Sequence, residues 1–130
     1  MRTEVIDYIR SLPLGNFNVS EELPREESGA ALYLKNPRRI YVDRSQFEET
    51  PIIKTLGSLS IYSYVETISV YFTVDAKLLP NNYSTLVDSL LAAKDLNPAG
   101  GYNDRTAAVQ SEFVNDLMLT RVDLTYTKLR

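Results

Sequence analysis

Apolar residues recur along this chain with two different periods, and the switches between them divide it into elements. Val5, Ile6, Ile9 and Leu12 share one face of residues 2–12, with Glu4, Asp7 and Arg10 elsewhere, the spacing of a short amphipathic helix. Pro13 and Gly15 end it. A short strand is expected around residues 17–19. Residues 30–35 and 40–43 are β-prone and separated by Asn36-Pro37, so a hairpin or bent strand is expected there. The clearest period is two: Tyr62, Tyr64, Ile68, Val70, Phe72 and Val74 alternate with Ser63, Thr67, Ser69 and Thr73, which predicts one long strand over residues 62–74. Glu66 interrupts its apolar face, and Val65 and Tyr71 lie on the other. A strand that reaches past the core, or is partly covered on both faces, accounts for both.

After a turn over residues 75–80, Asn81 or Asn82 is placed to cap a helix, because its side chain accepts a bond from an unpaired first-turn amide. Tyr83, Leu86, Val87, Leu90 and Leu91 form that helix's apolar face, which ends near Asp95. Asn97-Pro98-Ala99-Gly100-Gly101 reads as a flexible connection. Residues 109–114, Asn115-Asp116 and a strand from Leu117 onward read as a hairpin, although Leu119 and Leu129 blur its register. The expected architecture is α+β: a mixed, mainly antiparallel β-sheet with two helices packed on one face.

Two stretches fit neither period. Residues 21–29 gather Glu21, Glu22, Glu26 and Glu27 around Pro24, and like charges beside a proline give an exposed loop. Residues 45–59 place Phe47, Glu48 and Glu49 before Pro51, Ile52 and Ile53. This segment is either a ragged strand or a projecting loop that carries a partner's binding site.

Composition narrows the function. A chain of 130 residues fits a single domain, and 44% apolar against 24% charged residues suffices for a core. The net charge of −3 favours protein partners over nucleic acid, and Arg38-Arg39 reads as a solvated strand end. With no cysteine there is no disulfide and no thiolate metal site, which suits a reducing cytoplasm. No signal peptide or membrane-length apolar run is read, so a soluble protein is expected, and the triplets Asn18-Val19-Ser20 and Asn82-Tyr83-Ser84 have no secretory context.

Catalytic chemistry is hard to find. There is no histidine, and so no His-based nucleophile pair. Glu21/Glu22, Glu26/Glu27 and Glu48/Glu49 are sequence neighbours that point oppositely on a strand and sit in water in a loop. Gly100-Gly101 lacks the ending of a phosphate loop. Asp95 and Asp104 are a weak cation signal read as a solvated loop. No catalytic, cofactor-binding or metal-ligating residue is assigned. Nine tyrosines suit sheet packing or an interface.

Ala31-Leu32-Tyr33-Leu34, Ile40-Tyr41-Val42-Asp43 and the run from Glu66 to Lys77 lead into Leu79-Pro80 and a helix. Glu112-Phe113-Val114-Asn115-Asp116 and the strand Thr120-Arg121-Val122-Asp123-Leu124-Thr125-Tyr126 complete the pattern. In this order and over most of the chain, the pattern resembles the tail terminator proteins of long-tailed phages, of the lambda type. The stretch from Arg44 to Tyr62 departs from it.

The resemblance implies a virion structural protein, not an enzyme, found at the head-proximal end of the tail and in the host cytoplasm during assembly. It implies a ring of identical copies, six in the family, that caps the tail tube, stops its polymerisation and receives the head. The partners implied are the chain itself, the tail tube protein and a head-neck or connector protein, with no cofactor, nucleic-acid recognition or membrane. Glu21, Glu22, Glu26, Glu27, Phe47, Glu48, Glu49, Ile52 and Ile53 are candidate contacts, chosen for expected exposure. The alternatives are a head-closure, neck or minor tail protein of related fold, or a small carboxylate-based enzyme or ligand-binding domain.

Overall fold

The computed structural model describes residues 1–13, 17–20, 39–54, 60–75, 83–114 and 117–129, with backbone only at Ser20, Ile52, Ile53, Lys54, Ser60, Asp75, Ala99 and Val114. The sheet is organised by strand β4 (Ser60–Asp75), in which alternation decides burial: Glu66, Ile68, Val70, Phe72 and Val74 point to one face and are all buried. Strand β6 (Leu117–Leu129) pairs with it antiparallel from Ser63↔Leu129 to Asp75↔Leu117 and buries Met118, Thr120, Val122, Leu124 and Tyr126 on the same face. The even positions therefore meet the core and the odd ones, Leu119 and Leu129 among them, take the other face. A one-residue slip would exchange the two sets, so the register is strongly specified.

Four shorter strands complete the sheet among the described residues. β1 (Asn18–Ser20) runs parallel to β2 (Arg39–Val42), and β2 lies antiparallel to β4 at residues 70–72. β3 (Gln46–Lys54) occupies the same side of β4 further along, at residues 60–67. On the far side of β6, β5 (Asp104–Val114) closes the order β1-β2-β4-β6-β5, with β3 branching from β4. The α+β class, with a mostly antiparallel sheet, is as expected.

The two α-helices among the described residues lie on the even face. Helix α1 (Arg2–Ser11) buries Val5, Ile6 and Ile9, while Glu4 in its first turn and Arg10 in its last suit the helix dipole. Helix α2 (Tyr83–Leu91) buries Leu86 and Leu90 and tightens into a 3-10 helix, Ala92–Asp95, that buries Ala93. These side chains and the even face of the sheet make one apolar cluster. Burying each large aliphatic side chain contributes about 1.5–3 kcal/mol. Hydrogen bonds set the helices in place: the Tyr8 hydroxyl donates to the Ser89 carbonyl at 2.7 Å, the Tyr126 hydroxyl to the Ala93 carbonyl at 2.6 Å, and Arg2 to the carbonyls of Val42 and Asp43.

Of the two readings of residues 45–59, the ragged strand holds over Gln46–Lys54, fixed by pairing with β4 although it lacks a period of its own. Two expectations change. β5 begins at Asp104 instead of 109, because Thr106, Ala107 and Ala108 complete a ladder with β6 despite their weak apolar signal. The turn read as flexible is a short 3-10 helix, Pro98–Gly100, pinned by Asn97, which accepts from the Tyr102 amide at 2.9 Å and donates to its carbonyl at 3.2 Å. The acidic stretch 21–29, the Asn36-Pro37 turn, the Asn81/Asn82 cap and the Asn115-Asp116 tip lie outside the described residues.

Candidate functional site

Beyond Ser63, β4 has no β6 residue opposite it, and its residues 60–62 pair with β3 alone among the described strands. The β3–β4 hairpin thus runs past the end of β6 as a two-stranded arm. At the opposite end of β4 the odd face is covered as well, since Tyr41 and Thr73 are buried there. A strand covered on both faces at one end and projecting at the other explains the mixed pattern of residues 62–74.

Phe47, Glu48 and Glu49 lie at the root of this hairpin, where β4 is still paired with β6 on its other side. Opposite Glu66, Val65 and Tyr64 respectively, they alternate: Phe47 and Glu49 lie on the helix side, Glu48 on the other. Phe47 is 59% exposed, its ring resting on Tyr64 at 5.6 Å, and the Lys128 ammonium stands 4.9 Å over the Tyr64 ring. Ile61 and Tyr62 on β4 are also exposed. The ladder shifts register between Pro51 and Ile53, placing Ile52 at an irregularity of the arm. Of the predicted contacts, the structure brings together Phe47, Glu48 and Glu49, with the backbone of Ile52 and Ile53. Glu21, Glu22, Glu26 and Glu27 lie outside the described residues.

Sequence reasoning passed over the opposite edge. Among the described residues, β5 pairs with β6 on one side only. Its helix-side positions are Arg105, Ala107, Val109, Ser111 and Phe113, of which Val109 is 42% and Phe113 69% exposed. The signal was present in the alternation of residues 105–113, but Ala107 and Ser111 dilute it.

The nearest approach to a reactive cluster lies under the arm. Buried Glu66 accepts from the Tyr102 hydroxyl at 3.3 Å, and the Met1 amino group stands 3.6 Å from the same oxygen. The Tyr102 and Tyr126 rings are 5.4 Å apart. Burial, followed by the Glu66 charge, pushes the Tyr102 phenol up to about 12, and burial raises Tyr126 as well. Phenols held protonated this firmly donate hydrogen bonds and offer no base near neutral pH. The arrangement therefore serves to satisfy a buried carboxylate.

The odd face is polar at its centre. Ser69 donates to Asp123 at 2.6 Å, Arg121 pairs with Asp123 at 3.1 Å and also donates to Gln110 at 2.7 Å, and Thr67, Thr125 and Thr106 stand in line across three strands. No group of three or more His, Cys, Asp or Glu side chains able to hold a metal occurs among the described residues, and none of their helices is long and apolar enough to cross a membrane. Comparison with protein-family models and with curated proteins finds no match to this chain.

Proposed function

We propose that this chain is the tail terminator of a long-tailed phage, a virion structural protein whose copies join head to tail in a six-membered ring on the head-proximal end of the tail tube. The observation that carries the reading is the β3–β4 hairpin, which exposes Phe47 at its root and Ile61 and Tyr62 where it runs past β6. Large apolar side chains exposed along such a hairpin are stabilised when a neighbour covers them. A contact of that kind is heterologous, and it closes into a ring when its rotation fits. The motif order that resembles terminators supports the same reading, as does the absence of histidine and cysteine, which removes most catalytic designs.

In this reading the ring occupies the site where the next tube subunit would add, and its other side receives the head. The test is tube growth. Adding the chain to polymerising tube protein from the same genome stops elongation at a ratio far below one chain per tube subunit, because only ends are capped. Tubes that lengthen undisturbed overturn the proposal, and binding to a head connector without binding to tubes moves the chain to the neck.

A further inference from the structure

Three sheet edges are open among the described residues, and they are not alike. β1 is three residues long. β3 carries Glu48, Glu49 and Pro51 and a break in register at Pro51/Ile53. Short length, charge, proline and irregularity are the devices by which edge strands avoid pairing with other chains. β5 has almost none of them. It is eleven residues long, its ladder with β6 runs without a shift from Asp104 to Val114, and residues 106–111 hold no charge and no proline. Residues 108–113 are all exposed. Such an edge is a template for another strand.

We infer that the occupant of this edge in the free protein is β5 of a second copy, paired antiparallel about a two-fold axis through Val109. Residues directly opposite on antiparallel strands share a face. A two-fold axis perpendicular to the sheet keeps helix face with helix face, so it must pass through a residue pair. With the axis at Ala108, Asp104 stands opposite Glu112 on both sides of the dimer, and like charges directly opposite are destabilising. With the axis at Gln110, two residues of each strand lose their partners.

At Val109, the middle residue of the strand, all eleven positions pair and no like charges meet. On the helix side Val109 meets itself, Ala107 meets Ser111, and Arg105 meets Phe113. The Arg105 guanidinium already donates to the Asp95 carbonyl at 2.7 Å, and that bond holds it beside the edge, where it stacks on the partner's aromatic ring. The most exposed apolar side chain of the strand and its one basic residue thereby cover each other. The contact is isologous and joins two sheets into one. It uses the edge opposite the arm and is a separate claim from the ring.

The chain has no cysteine, so Val109→Cys introduces a single thiol that faces its own copy across the axis, at the separation a disulfide needs. Under mild oxidation it forms a covalent dimer roughly tenfold faster than Phe47→Cys on β3, since pairing raises its effective concentration. Val109→Lys, which opposes two ammonium groups, converts a dimer into a monomer by light scattering while leaving the folded circular dichroism spectrum in place. A wild-type chain that is monomeric at micromolar concentration overturns the inference, as does a V109C chain that cross-links no faster than F47C. So does an oligomer whose mass V109K leaves unchanged, because its contact lies elsewhere. Tube capping, which tests the ring, is read independently of all three.

Discussion

Two adjacent glycines illustrate how position decides a residue's role. Gly100 has φ +65°, a left-handed conformation, and nothing lies within 4 Å of where a Cβ would stand. Gly100→Ala therefore loses about 1–2 kcal/mol from backbone strain alone. Gly101 sits at φ −77°, ψ −14° with only the Pro98 carbonyl nearby at 3.8 Å. Gly101→Ala is neutral or stabilises by up to about 1 kcal/mol through the unfolded chain. Urea unfolding of the two variants checks the contrast, and equal effects would contradict it.

Tyr102 gives a pH dependence of defined sign. Burial, followed by the Glu66 charge, pushes its phenol up to about 12, above the ordinary tyrosine value of 10.0. Between those values the folded chain binds the proton more tightly than the unfolded chain does, so the stability contributed by the neutral phenol is intact below pH 10 and is lost as pH rises toward 12. Tyr102→Phe removes this component, and its urea midpoint falls less steeply than that of the wild type over the same range. Parallel curves would show that Glu66 and burial do not hold the phenol as described.

At the scale of elements, the sheet divides into a core and an arm. Ile68 in the middle of β4 is fully buried, whereas Ile61 on the same strand is 41% exposed. Ile68→Ala costs about 2–5 kcal/mol, and Ile61→Ala stays within about 0.5 kcal/mol. Similar losses at both sites would mean that the arm belongs to the folding core.

The same division explains what the sequence reveals. Residues 62–74 and 117–129 announce themselves because one face meets a closed core, so Ile68, Val70, Phe72, Val122 and Leu124 enforce period two. β3 is held by cross-strand pairing with β4 and by the Phe47–Tyr64 contact, neither of which imposes a period on its own residues. The first half of β5 is hidden for a related reason: Thr106 and Ala108 face solvent and Ala107 is small. Phe47, Glu48 and Glu49 were legible as exposed residues from their charges and neighbours. Val109 and Phe113 resemble core residues in sequence, and only the strand order shows that β5 is an edge.

For the whole molecule, the arm and the β5 edge lie on opposite sides of the sheet and present different contacts. The arm offers aromatic and acidic side chains on an irregular hairpin, suited to a heterologous neighbour. The edge offers a regular backbone whose sequence complements itself. In the proposed role this separation matters, because closing one surface leaves the other open for a different partner. Phe47→Ser removes the exposed ring at the root of the hairpin and changes the stability of the isolated chain by about 1 kcal/mol or less. It weakens tube capping, and it leaves V109C cross-linking intact when the two substitutions are combined.

Electron microscopy of tube ends tests the central claim most directly. With tube protein polymerised in the presence of the chain, averaged end views are expected to show a six-fold ring at one end of each tube, and Phe47→Ser is expected to deplete it. Tubes with two bare ends, or the chain bound along their length without a ring, would contradict the account.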